Sequence, residues 1–484
     1  MPRTVYRFLQ HPTFVPTELE TIMAALSDLP SEILLLIVDN LDDHEATLDL
    51  TSTCRQLHTL LHLGVFRNLE INHKNTRLIS RLTHTFAQDT KCAQTVRTLH
   101  FTDGPGRSSR HDTPYDPAII RPLLELVPDS SGPERATHEA NLKAGHNHAS
   151  WLAILLPLLP NLESLGLILG YLEFYTLGLF RTITSTNPET KRYTVPILPH
   201  LKHISARHMH AKYDLRASYI IPFFRLPTVT SFTGRMIRDN RETDEIELRE
   251  SWYDNLTTAA AHAHSPTHTI PYEPFSNITH LTLEHSTTAR GFADLLYACK
   301  ALKSFIYTHG YRGDEPGCAF APRPFYFPLR RHSASLEELA ICYAAGSFRQ
   351  FTEVEEAFLG SFAEFPVLRR VRLCAQNLLA FEDGEDMGAG NTLVDVLPRS
   401  IEEVVIEDFE ECYDQGFMVG QVKRLISEAG LEGRFFPRLC MLEVRGVDPG
   451  GDVKTHNFGF PRVLPIAGQE WEGSEDWGWD NEVQ

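Results

Sequence analysis

Three pairs among the 23 histidines of this 484-residue chain could begin a metal site. His146-Asn147-His148, His208-Met209-His210 and His262-Ala263-His264 each bring two imidazoles close together. A metal needs a third and a fourth donor, and no cysteine or carboxylate stands at a familiar ligand spacing. These pairs read as polar filler, and no metal is expected. Glu337-Glu338 and Glu402-Glu403 are the candidate acid–base pairs. Both lie in segments that read as strands, where neighbouring side chains leave on opposite faces, so neither forms a dyad. HExxH, GxSxG, GxGxxG and the Walker loop are absent, and Gly104-Pro105-Gly106 lacks the later glycine of a nucleotide loop. No catalytic residue and no cofactor are expected, so the chain reads as a binding protein.

Composition narrows the partners. Against 45 Lys+Arg stand 63 Asp+Glu, a net charge of −18. That balance argues against nonspecific nucleic-acid binding, which needs clustered cations to displace counterions. Hydrophobic residues make up 42% of the chain, enough to build a core. The cysteines at 54, 92, 299, 318, 342, 374, 412 and 440 include no CxxC pair. They read as reduced thiols of a cytoplasmic or nuclear protein. Trp151 to Phe180 is apolar, but Pro157, Pro160, Asn161 and Glu163 break it before the roughly 20 residues a membrane span needs. The opening MPRTVYRFLQHPTF carries no apolar run of signal-peptide length.

The elements that must carry a binding function divide into a short helical module and a long array. After an extension over 1–25, residues 26–71 hold Leu29, Ile33, Leu34, Ile37, Val38 and Leu41 at three- and four-residue steps. That spacing predicts an amphipathic helix, with Pro30 and Glu32 suited to its first turn. Leu48, Leu50, Cys54, Leu57, Leu60 and Leu61 predict a second helical stretch. Leu29-Pro30-x-Glu32-Ile33-Leu34, Thr53-Cys54-Arg55-x-Leu57 and the trailing Val65-Phe66-Arg67-Asn68-Leu69-Glu70 resemble an F-box of the fungal type. Thr47, Ser52 and Leu57 depart from the usual pattern, at positions that are commonly aliphatic or tryptophan. The resemblance implies docking on a Skp-type adaptor of a cullin ubiquitin ligase through Leu29, Pro30, Ile33, Leu34, Ile37, Leu41, Leu50, Cys54 and Leu57.

Residues 72–450 repeat one phrase, apolar at i, i+3 and i+5, in ten copies from VRTLHF at 96–101 to LCMLEV at 439–444. This resembles a degenerate leucine-rich-repeat solenoid, an α/β fold with a parallel strand in each repeat. The copies ending in Ala206 and Gly234 are the weakest. Gly291–Lys300 and Val354–Phe365 read as covering helices. The widest gaps, starts 96 to 162 and 229 to 278, point to inserts near 103–149 and 235–274, read as loops because they are polar and rich in Gly, Pro or His.

Alternation sends i+2, i+4 and i+6 to the open face of the strands. That face begins Thr98, His100, Thr102, Ser164, His203, Ser205, Arg207, Ser231, Thr233, Arg235, His280 and Thr282, without a carboxylate. It continues through Glu284, Glu338, Arg370, Arg372, Glu403, Glu407, Glu443 and Arg445. Either it is a solvated sheet surface or it holds a protein target, with His203, Arg207, Arg235, His280, Glu338, Arg370, Arg372 and Glu403 as contact residues. The final region, 451–484, ends in six acids, no base and Trp471, Trp477 and Trp479. It reads as a passive solvated tail or as a segment that folds back. No membrane partner is expected. Taken together, the resemblances imply the substrate receptor of a ubiquitin ligase, with a repeat scaffold acting outside a ligase as the other reading.

Overall fold

The computed structural model describes residues 29–39, 44–53, 55–103, 113–127, 132–145, 148–170, 174–184, 197–209, 213–239, 273–288, 290–310, 320–343, 357–380, 390–408, 415–430, 435–447 and 453–459. Contacts divide the chain into two compact units, Met1–His332 with Tyr343–Phe351, and Ser333–Cys342 with Thr352–Gln484. Leu41, Cys54, residues 240–272 of the second insert and the tail from 460 lie outside the described residues.

In the first unit, seven strands stack in parallel: β1 (Asn68–Asn72), β2 (Thr98–Thr102), β3 (Ser164–Leu169), β4 (His203–His208), β6 (Ser231–Arg235), β8 (His280–Ser286) and β9 (Ser304–His309). Two short strands, β5 (Leu215–Arg216) and β7 (Ile237–Arg238), pair separately. The apolar phrase builds the core as its spacing demands. Val96, Leu162, Leu201, Val229, Ile278 and Leu302, all at position i, are each 0% exposed. The i+3 side chains Leu99, Leu165, Ile204, Phe232, Leu281 and Phe305 are buried with them.

Between these positions runs a second regularity. The carbonyl at i+1 accepts two amides from the next repeat, using both of its lone pairs. Arg97 O takes Glu163 N and Ser164 N; Glu163 O takes Lys202 N and His203 N; Lys202 O takes Thr230 N and Ser231 N. Thr230 O and Thr279 O continue the series, all at 2.7 to 3.1 Å. Gly234 leaves its own i+5 place empty because Ile237 of β7 fills it. A Cβ on Gly234 would stand 2.6 Å from Ile237 Cγ1.

The array starts earlier than its sequence suggests. Phe66-Arg67-Asn68-Leu69-Glu70-Ile71 is another copy of the phrase, with Leu69 and Ile71 buried. Arg67 O accepts Arg97 N and Thr98 N in the same pair of hydrogen bonds. A boundary between 71 and 72 therefore cuts through β1, and the segment read as closing the F-box is a sheet strand.

The first insert also differs from expectation. Gly132–Ala144, expected as a loop, is a helix, flanked by the helices Pro117–Leu126 and His148–Leu155. Asp116 caps the earlier helix by accepting Ala118 N at 2.9 Å, with Pro117 in its first turn. Leu142 and His138 are buried, and His138 stacks on Tyr175 at 4.1 Å and bonds Ser150 O at 2.9 Å. A few apolar anchors outweigh the Gly and Pro content. The second insert begins in order too, since Arg235 closes β6 and Ile237–Arg238 form β7.

The second unit stacks β10 (Glu338–Tyr343), β11 (Arg370–Cys374), β12 (Glu403–Glu407) and β13 (Met441–Val447) in parallel, and β14 (Val453–Gly459) pairs antiparallel with β13. Glu337 O, Arg369 O and Glu402 O each accept two amides from the following repeat. Back in the first unit, Ala293–Ala298 is helical, as expected for Gly291–Lys300. Residues 358–365, expected as helix, are irregular. Leu359, Phe362 and Phe365 are buried without it, with Phe362 and Phe365 edge to face at 5.4 Å and Phe362 N bonded to Val396 O at 2.8 Å.

Four buried histidines make the first unit sensitive to acid. Burial pushes the His148 pKa down to about 4 and lowers those of His73, His138 and His332. Because the folded values lie below the unfolded one, full stability holds above about pH 6.5 and is lost as pH falls toward 4. For His148 alone the loss reaches about 3 kcal/mol. Melting curves between pH 7.5 and 4.5 should show the wild type losing more stability on acidification than His148→Gln; parallel pH profiles would contradict the assignment.

Candidate binding face

On the first unit, the register places Asn68, Glu70 and Asn72 beside Thr98, His100 and Thr102 on the open face. Glu70 is exposed there, so this part of the face carries a carboxylate after all. Asp103, one residue beyond β2, adds another. It contacts Arg207 Nη1 at 2.5 Å and His73 Nδ1 at 3.2 Å. The Arg207–Asp103 pair links β4 to the end of β2, across β3, whose Ile168 is 1% exposed. Neither acid was recognised from sequence, although the Phe66 copy of the phrase predicts Glu70 outward.

Gly166 has a close-approach role in the same rows. A Cβ there would lie 3.0 Å from His100 Cδ2 and 3.1 Å from Ser205 Oγ. The absent side chain lets His100 lean over β3, where its Nε2 and Ser164 Oγ are 3.1 Å apart. His203, Arg235 and His280 are exposed. His280 Nδ1 lies 2.9 Å from Thr279 Oγ1, and Arg235 stands in register between Arg207 and Glu284.

On the second unit, the charges form a bonded ladder. Arg445 grips Glu443 through two parallel bonds, Nε–Oε1 at 2.7 Å and Nη2–Oε2 at 2.9 Å, and its Nη1 reaches Glu407 Oε1 at 2.9 Å. Arg372 Nε donates to the same Glu407 oxygen at 2.6 Å, and Arg370 Nε donates to Glu338 Oε1 at 3.3 Å. Glu403 lies in register with Arg370. Hydrogen bonds to Glu443 and to Glu338 raise the pKa values of Arg445 and Arg370 respectively. The ladder holds these groups in place, so the face presents a fixed pattern of both signs.

In the helical module, Ser31–Asp39, His44–Thr53 and Arg55–Leu61 are helices. The first is started by Pro30 O, which accepts Ile33 N and Leu34 N. Leu34, Leu57 and Leu61 form a core, with Leu29, Leu50 and Leu60 packed against it. Leu34 and Leu57, assigned to the adaptor surface from sequence, are therefore turned inward, because two short helices need each other's leucines to close. Pro30 is exposed, and Ile37 is partly so. Ile33 is 43% exposed and Leu36, three residues on and unassigned from sequence, is 61% exposed. Their shared helix face was legible from the same spacing.

Two substitutions on the second unit's ladder separate its strong and weak rungs. Arg445→Met leaves Glu407 and Glu443, both largely buried, without their shared cation and should cost about 2–3 kcal/mol. Arg370→Met breaks an exposed pair and should cost less than about 1 kcal/mol. Urea unfolding checks both, and equal costs would contradict the ladder.

Among the described residues, no group of three or more His, Cys, Asp or Glu could hold a metal ion, and no helix is long and apolar enough to cross a membrane. No characterised protein matches the chain by sequence. Residues 256–449 match the family model of a leucine-rich repeat domain, a span that contains β8 to β13.

Proposed function

We propose that the chain is a non-catalytic receptor of a cullin ubiquitin ligase. Its N-terminal helices would dock on a Skp-type adaptor, and its repeat face would hold the protein to be modified. The repeat domain itself supports protein–protein binding, since stacked strands present a long, ordered face. The observation that carries the adaptor half is the exposure of Ile33 and Leu36 on a helix whose Leu34 is already buried in the module's own core. Exposed aliphatic side chains side by side, next to an exposed Pro30, suit a helix-in-groove contact. The chemistry is proximity: a target held near a charged ubiquitin carrier reacts at a raised effective concentration. Such a complex would work in the cytoplasm or nucleus.

Affinity purification tests this reading with Ile33→Asp, Leu36→Asp beside the wild type. The variant should keep its melting temperature, lose adaptor and cullin together, and retain other partners. Leu34→Asp is unsuitable, since it would place a charge in the module's core. Recovery of adaptor and cullin at wild-type levels would refute the docking face, and adaptor without cullin in the wild type would favour a scaffold outside the ligase. For the repeat face, Arg370→Glu with Arg372→Glu should weaken target capture at least tenfold while adaptor recovery stays constant. Unchanged capture would move the target elsewhere.

A further inference from the structure

Phe327 is 65% exposed, more than any other large apolar side chain among the described residues. It lies in the first unit on one helical stretch, Arg323–Phe325 continued by Tyr326–Arg330. The inner side of this stretch is spent on the core. Phe325 and Leu329 are 0% exposed, and the Phe325 ring packs 5.8 Å from Phe305 and 4.9 Å from Tyr307. On the outer side, steps of three and four residues gather Arg323, Arg330 and Arg331 about Phe327. All three arginines are exposed. The Tyr326 ring meets Phe327 edge to face at 5.9 Å, and the Arg331 guanidinium lies over Tyr297, 5.2 Å from the ring centre. Arg323, Tyr326 and Arg330 are held by contacts within the molecule as well.

The sequence from Cys318 to Leu336 contains no acid. In a chain of net charge −18, three exposed arginines around an open phenylalanine reverse the local sign. An aromatic ring bordered by guanidiniums suits a ligand that brings an aromatic face and carboxylates together. Residues 468–484 carry that complement: six acids, no base, and Trp471, Trp477 and Trp479. Each tryptophan adjoins an acid, as in Glu470-Trp471-Glu472 and Asp476-Trp477. One indole seated on Phe327 would therefore deliver a carboxylate to the arginines beside it.

We propose that Arg323, Phe327, Arg330 and Arg331 form a docking surface for residues 468–484, with a tryptophan packed on Phe327 and its neighbouring acids paired with the arginines. Tethering gives the tail a high effective concentration at this surface. The tail thus acts as a built-in competitor, and an outside ligand of acidic, aromatic character must displace it. The surface uses no residue of the strands' open face and none of the helical module, so it stands apart from the receptor reading.

The test titrates a fluorescent peptide of residues 468–484 into the full chain carrying Trp471→Ala, Trp477→Ala and Trp479→Ala, whose own tail no longer competes. The peptide should bind this chain at least about tenfold more tightly than the wild type. Adding Phe327→Ser, or Arg323→Gln with Arg330→Gln, should weaken binding at least about tenfold. Both sets alter exposed side chains, so melting temperatures should match the parent; two independent sets keep the test decisive if one destabilises the fold. A peptide with alanine at its three tryptophans should bind at least about tenfold more weakly, although its charge is unchanged. Absence of peptide binding, equal binding by both variant sets, equal binding by the wild type, or equal binding of the alanine peptide overturns the proposal. Masking in the wild type that grows with protein concentration would give the tail to a second copy and overturn the built-in competitor.

Discussion

One backbone oxygen per repeat sets the strand geometry within each unit. It sits one residue after the buried apolar anchor and accepts two amides from the next repeat, as in Arg97 to Glu163 and Ser164, or Arg369 to Glu402 and Glu403. Using both lone pairs of one carbonyl fixes where the next strand begins. A slip of one residue would exchange the core and open faces, turning Leu99 outward and His100 inward. The buried anchors at position i and this doubled bond are therefore one constraint. It tolerates intervening segments of very different length, because whatever lies between two strands must only return the chain to the same start. The helices of 117–155 occupy one such interval, and the irregular turns of 358–365 another.

Fixing the strand starts also fixes what the open face presents. On the first unit it is mostly hydroxyls and imidazoles, tied together where His100 leans over Gly166 and where Arg207 meets Asp103. On the second unit it is the ladder through Glu407, whose single oxygen takes bonds from both Arg372 and Arg445. A charged group already bonded within its own sheet offers a partner less raw attraction but a better defined pattern, which favours selectivity. The helical module follows a different rule. Leu34, Leu57 and Leu61 are consumed in closing its own core, and Ile33 and Leu36 remain outside. The charge of −18 is thus distributed over surfaces of distinct character.

Strand positions were legible because the phrase at i, i+3 and i+5 is a direct image of burial, and every described copy lies on a strand. Its first copy, Phe66 to Ile71, was hidden because the same residues complete the F-box resemblance. The 132–144 helix was missed because Gly, Pro and charge outweigh a single Leu142 and a buried His138 when counted by composition. Conversely, 354–365 has helical spacing, yet Phe362 and Phe365 are buried by an irregular chain over 358–365, since tertiary packing overrides a weak local preference. Which leucines of the module face inward could not be read from one helix alone; Leu34 is buried only because Leu57 and Leu61 come back against it. Asp103 lies outside the strand pattern, and only the fold brings it to Arg207.

The central claim is that two separate surfaces serve two partners: a short helical face for the adaptor and the repeat face for a target. Hydrogen exchange on the full chain, with and without a purified Skp-type adaptor bound to its cullin, tests it most directly. The account predicts new protection confined to the peptides covering Pro30 to Ile37 and the helices packed on them, with the strands from β2 onward unchanged. Protection spread along the strands, or none in the first helix, would contradict it.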